Sequence, residues 1–128
     1  MVTCALIKRN GFFLCARRAR GNRLAGYWEF PGGKLEADES LFDCIEREIL
    51  EELQCRILAR QHFDKSISHQ KYKLIELHAI ECELISQEPK VNKIDHDLLC
   101  WITPSNMLNL SFALADIPFV RKLQLNEN

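Results

Sequence analysis

The chain has no apolar run approaching the roughly 20 residues that a helix needs to cross a bilayer, which excludes a membrane-spanning role from the reading. Its first residues, Met1-Val2-Thr3-Cys4-Ala5-Leu6-Ile7-Lys8, lack the basic-then-apolar plan of a secretory signal. The six cysteines, Cys4, Cys15, Cys44, Cys55, Cys82 and Cys100, show no short paired spacing and are scattered through apolar segments. That pattern speaks against a disulfide framework or a zinc knuckle and for buried free thiols in a reducing, cytoplasmic setting. Excess charge of either sign is missing too. With 17 Lys and Arg against 18 Asp and Glu, the formal net charge is -1. A protein that grips a nucleic acid polymer is usually basic, so the balance points away from one and leaves room for a small anionic ligand met by local positive charge. No repeat, low-complexity stretch or linker breaks the chain.

What is present suits one globular domain spanning 1–128, since 47% of the residues are hydrophobic and 27% charged. Val2 to Ile7 and Phe12 to Ala16 read as a β-hairpin around Arg9-Asn10-Gly11. Arg17 to Gly26 is a polar loop, and Trp28-Glu29-Phe30 a short extended piece ending at Pro31. A helix is expected from about Ser40 to Leu53, with Asp38, Glu39 and Ser40 at its start. Arg56 to Ser68 and Tyr72 to Leu84 read as long strands joined through His69-Gln70-Lys71, Ser86 to Lys93 as a loop and Leu98 to Ile102 as a strand. Pro104 to Leu108 and Asp116 to Leu123 read as helices, Pro118 being tolerated in a first turn. Sheet and helix interleaved in this order describe an α/β (α+β) sandwich.

The helix carries the informative residues. Positions three and four apart share a helical face, so Glu48 lies beside both Glu51 and Glu52, with Arg47 on one flank. This acidic stripe runs along the edge of the apolar face made by Leu41, Phe42, Ile45, Ile49 and Leu53. Glu48 and Glu52 repel each other, and acids near a helix C-terminus oppose its dipole, each at a cost of a few tenths to about 1 kcal/mol. A divalent cation reverses both effects, and hard oxygen donors suit Mg²⁺ or Mn²⁺. Taken alone, three glutamates are more commonly a solvated acidic face.

The surrounding residues change that balance. Pro31-Gly32-Gly33 precedes the helix, five residues separate Gly33 from Glu39, seven separate Glu39 from Arg47, and Arg47-Glu48-Ile49-Leu50-Glu51-Glu52 follows. This segment resembles the Nudix box, with one fixed position altered: Gln54 stands where the family has Gly. A residue just past a helix end is often left-handed, so Gln54 is expected either to strain that turn by about 1 kcal/mol or to end the helix another way, in both cases without touching the chemistry. Similarity to the MutT-like branch extends to Leu24 through Lys34, to Asp95 through Ile102, and to Ala115-Asp116-Ile117-Pro118.

The resemblance implies the Nudix fold, a mixed β-sheet sandwich with the box forming loop-helix-loop and a helix near the C-terminus. It implies that Glu48, Glu51, Glu52 and the Gly32 carbonyl hold a metal ion, Mg²⁺ with Mn²⁺ as substitute, that Arg47 holds the glutamates in place, and that Asp95 assists from across the cleft. Asp95 is one methylene shorter than the Glu usual there. Glu48 is the first choice for the base that deprotonates water, with Glu52 and Asp95 open. Arg18 aligns with a phosphate-contacting arginine, and Asp116 with the residue that reads the base edge, its other role being a helix N-cap. Phe30, Tyr27 and Trp28 could stack on a base, although strand alternation places Trp28 and Phe30 on one side and Glu29 on the other. His69 and His78 lack metal-ligand spacing.

The expected activity is Mg²⁺-dependent hydrolysis of a nucleoside triphosphate, of 8-oxo-dGTP or modified-purine type or a cytidine triphosphate, to the monophosphate and pyrophosphate. This is a reaction that cleanses the nucleotide pool. Two rivals stand beside it: hydrolysis of a dinucleoside polyphosphate or nucleotide sugar, and a module that senses nucleotides without turnover. The expected partner is a small nucleotide, with no nucleic acid polymer and no membrane, for a monomer or homodimer.

Overall fold

A computed structural model describes residues 1–127. Strand β1 (Val2–Arg9) turns through Asn10 and Gly11, both at positive φ, into β2 (Phe12–Arg18), the hairpin that Asn-Gly favours. Short strands β3 (Trp28–Glu29) and β4 (Gly32–Lys34) lead to helix α1 (Leu41–Leu53). Two long strands follow, β5 (Ile57–Gln70) and β6 (Lys73–Leu84), then β7 (His96–Ile102). The chain ends in the one-turn helix α2 (Pro104–Met107), a 3₁₀ turn (Leu114–Asp116) and helix α3 (Ile117–Leu125). No helix among the described residues is long and apolar enough to cross a membrane.

All seven strands belong to one mixed sheet ordered β3-β2-β1-β6-β5, with β4 also paired to β1 and β7 to β2. Among the strands of the described residues only β1 and β6 pair in parallel, from Val2 opposite Leu77 to Ile7 opposite Cys82. Strand alternation then sends neighbouring residues to opposite faces. Cys4, Leu6, Phe13, Cys15, Leu77 and Ala79 pack with Phe119, Val120 and Leu123 of α3. Ala5, Ile7, Leu14, Ile80 and Cys82 pack with Ile45, Ile49 and Leu53 of α1. The result is the expected sandwich, a sheet with one helix on each face. All six cysteines are free, and all but Cys100 are buried.

Three local expectations change. Strand β4 was not anticipated, because Gly-Gly-Lys has no strand propensity; it exists because β1 offers an edge, pairing Thr3 with Gly33 and Cys4 with Gly32. The β5–β6 turn falls at Lys71 and Tyr72, both at positive φ, so His69 and Gln70 belong to the strand. Asp116 ends a 3₁₀ turn, and α3 begins one residue later with Pro118 in its first turn.

Candidate active site

Helix α1 begins where Ser40 Oγ accepts the Asp43 amide at 3.0 Å, and it ends at Gln54, whose φ of 54° is the left-handed conformation expected there. Between these caps Arg47 organises the acids. Its guanidinium forks onto Glu39, Nε to Oε2 at 2.6 Å and Nη2 to Oε1 at 2.9 Å, while Nη1 donates to Glu48 Oε1 at 2.8 Å and to Glu51 Oε2 at 3.3 Å. Nη2 also reaches the Lys34 carbonyl at 3.1 Å, tying the helix to β4. This bidentate grip holds the Glu39 carboxyl at about 2, well below its ordinary range. Arg47 thus donates to one oxygen each of Glu48 and Glu51 and to neither oxygen of Glu52.

The loop before the helix is shaped by close approach. A Cβ on Gly32 would collide with the Thr3 carbonyl oxygen and lie 2.7 Å from Cys4 Cα. One on Gly33 would run into the Glu48 carboxylate. Glycine at these two positions lets β4 lie against β1 and lets Glu48 lie over the loop. Thr3 Oγ1 donates to the Gly33 carbonyl at 3.2 Å and steadies the same peptide.

Glu52 points the other way, into a buried acidic corner. Burial, with the negative charges of Glu48, Asp95 and Glu29 around it, pushes its pKa well up, and its Oε2 has no hydrogen-bond partner. Asp95 is set at the entrance to β7, where Asn92 Nδ2 donates to its Oδ2 at 2.6 Å and Asn92 Oδ1 accepts its amide at 2.8 Å. The stripe thus divides: Glu51, 59% exposed, leans towards Arg47, and Glu52, 16% exposed, has its Oε2 3.9 Å from His96 Nδ1. Among the described residues, no three His, Cys, Asp or Glu side chains converge as a finished cage. Even so, the residues fit a divalent ion. The donors are all oxygens, the unpartnered Oε2 of Glu52 is buried amid like charge, and the Gly33 cradle is filled by Glu48.

A cavity of about 340 Å³ is lined by Gly32, Gly33, Asp116, Ala113 and Ala115. Arg18, Glu29, Phe30 and Ser68 also line it. Asp116 is 4% exposed and accepts the Phe30 amide at 2.8 Å through Oδ2. Residues 111–113 run beside Trp28, with its amide bonded to Ser111 and its carbonyl to Ala113, and the Asp116 side chain takes the next amide in that row. Its carboxylate makes no capping bond to α3, so the N-cap role is not realised. Burial, then repulsion from Glu29, pushes its pKa up to about 8. Phe30, which lines the cavity, is 2% exposed and packs 5.5 Å from Phe112 in the core.

The structure adds residues that the sequence did not single out. Glu29 lies between Arg18 Nε at 3.7 Å and His96 Nε2 at 2.9 Å, and the buried His96 turns Nδ1 towards Glu52 Oε2 at 3.9 Å. A bulge between Arg17 and Arg18 in the β2–β7 pairing sits where Arg18 enters this group. The signal available in sequence was alternation, which sets Glu29 apart from Trp28 and Phe30. For His96 there was none.

With this geometry in hand, residues 2–122 match the family described as NUDIX domain. The chain belongs to the Nudix hydrolase family. It is 34% identical over 122 residues to the CTP pyrophosphohydrolase of Escherichia coli (strain K12), covering 93% of this chain and 87% of that protein. It is 31% identical to a Mycobacterium tuberculosis (strain ATCC 25618 / H37Rv) protein provisionally named 8-oxo-dGTP diphosphatase 2, over 96% of this chain and 86% of the other. Among solved structures, the solution structure of the E. coli ORF135 protein superposes with a TM-score of 0.87 at 31% identity, covering 97% of this chain and 87% of that one. As a Nudix hydrolase the chain is an enzyme.

Proposed function

We propose that this Nudix hydrolase cleaves a nucleoside triphosphate to the monophosphate and pyrophosphate, with Mg²⁺ bound by Glu48, Glu51, Glu52 and the Gly32 carbonyl. The observation that carries the reading is the acidic corner around Glu52, buried amid the charges of Glu48, Asp95 and Glu29, the last of which also lines the cavity. A bound Mg²⁺, replaceable by Mn²⁺, supplies neutralisation of phosphate oxygens and a lowered pKa for water. The chain does the rest. Arg47 fixes Glu48 through Oε1, and Glu48 takes the proton from water, with Glu52 and Asp95 as further carboxylates. Arg18 faces the phosphates and Asp116 the base.

Near neutrality the Asp116 carboxyl holds its proton, so it can both donate to and accept from a ring edge. That suits a cytosine ring or an oxidised guanine, the two classes named in the relatives CTP pyrophosphohydrolase and 8-oxo-dGTP diphosphatase 2. The buried free thiols suit a reducing cytosol, where such a pool-cleansing enzyme would work on a small nucleotide as a monomer or homodimer over a single domain spanning 1–128.

Pyrophosphate release measured across a panel of natural and oxidised nucleotides tests the reading. Glu52→Gln and Glu51→Gln are each expected to lower kcat by at least about 100-fold, removing roughly 2.7 kcal/mol or more of transition-state stabilisation. Full activity in both variants, or phosphate rather than pyrophosphate as product, would refute it.

A further inference from the structure

Among the described residues, four buried side-chain polar atoms have no hydrogen-bond partner, and three of them fall in one place: Arg18 Nε, His96 Nδ1 and Glu52 Oε2. They are strung along a single path. Arg18 Nε lies 3.7 Å from Glu29 Oε2, the same oxygen lies 2.9 Å from His96 Nε2, and His96 Nδ1 lies 3.9 Å from Glu52 Oε2. Native interiors rarely leave polar atoms unpaired, and an apolar ring would fill the His96 site without leaving a nitrogen orphaned. A separation of 3.9 Å is too long for a hydrogen bond, but it closes with a shift of about 1 Å in the Glu52 carboxylate. One proton between Nδ1 and Oε2 then satisfies both atoms.

We infer that His96 is a positioning residue: Nε2 anchors it to Glu29, and Nδ1 orients Glu52 for the ion, which joins the phosphate-facing Arg18 and the ion-binding glutamate in one connected unit. This rests on the assignment of Glu52 as an ion ligand made above. The arrangement follows a general rule for such sites, in which a polar group behind a ligand fixes the ligand's orientation and its loss weakens metal affinity 10–100-fold. His96 is held for the task. It is 3% exposed, sits opposite Arg18 at the bulge in the β2–β7 pairing, and follows Asp95, whose backbone carbonyl accepts the Ala19 amide at 3.0 Å.

Two polar replacements separate the two nitrogens. The Asn side-chain nitrogen replaces Nδ1 and the Gln nitrogen replaces Nε2, whereas Phe keeps a ring with neither. Mn²⁺ affinity of the nucleotide-free protein, read by electron paramagnetic resonance, is measured beside kcat and KM for pyrophosphate release. His96→Phe should weaken Mn²⁺ binding at least about tenfold, lower kcat and, with the Glu29 anchor gone, raise KM. His96→Asn should recover Mn²⁺ affinity to within about threefold of the unmodified protein, and His96→Gln should recover KM but not that affinity.

Unchanged Mn²⁺ affinity in His96→Phe, with only a lower melting temperature, would show packing alone and overturn the inference. So would Gln restoring affinity as well as Asn does, and this comparison decides the matter even where the Phe variant fails to fold. If the unmodified protein binds Mn²⁺ but releases pyrophosphate from no nucleotide, the proposed function fails while the Asn–Gln order still judges His96. Failure of the unmodified protein to bind Mn²⁺ overturns both.

Discussion

At the scale of single residues, the site depends on side chains placed where water or a partner would normally serve them. Asp116 is the clearest case. Its folded pKa of about 8 stands above the ordinary 3.8, so between those values the folded protein keeps a proton that the unfolded chain has released. Stability must therefore fall as pH rises through that window. Asp116→Asn keeps an oxygen for the Phe30 amide and has no proton to lose, so from pH 5 to pH 9 it should lose less stability than the unmodified protein. The difference should be on the order of a few kcal/mol in urea unfolding. The paired glycines supply a second test. Gly32→Ala drives a methyl into the β1 backbone and should cost about 1–3 kcal/mol. Gly33→Ala meets first the movable Glu48 carboxylate, so thermal melts should show a smaller loss of stability while pyrophosphate release drops sharply.

At the scale of elements, α1 was legible almost in full, because Ser40 at one end and a left-handed position at the other are local features. Gln54 there is a cost the chain carries: Gln54→Gly should raise stability by about 0.5–1 kcal/mol in denaturant midpoint without altering turnover. Its carbonyl accepts from Gln87 Nε2 at 2.6 Å, a contact that glycine would retain. Strand β4 shows the opposite behaviour, since its only reason to be extended is the edge of β1 about thirty residues earlier. The turn between β5 and β6 moved because residues opposite one another, His69 with Leu74 and Gln70 with Lys73, set its position.

At the scale of the whole molecule, β1 joins the two cores, with Leu6 facing α3 and Ile7, its neighbour, facing α1. Both are fully buried. Leu6→Ala and Ile7→Ala should each cost about 2–5 kcal/mol, and circular dichroism and tryptophan fluorescence should report coincident transitions in both, because one sheet serves both layers. Separate transitions in either variant would show that the two faces fold independently. The same joining of layers makes the site: α1 supplies the glutamates from one side of the sheet, and the segment before α3 supplies Asp116 on the other.

The sequence by itself determined the box helix, its acids and the arginine among them, the hairpin at the start and the alternation that buries Trp28 and Phe30, since each follows from spacing along a few turns or one strand pair. The carry-over of Arg18, Asp95 and Asp116 likewise rested on short runs of residues. Only the tertiary structure decided that Glu52 is buried while Glu51 is exposed, that Asp116 serves the Phe30 amide rather than α3, and that Glu29 and His96 lie between Arg18 and Glu52. Burial and charge crowding arise between residues distant in the chain. They exist only once the sheet has brought β2, β3, β7 and α1 to one corner.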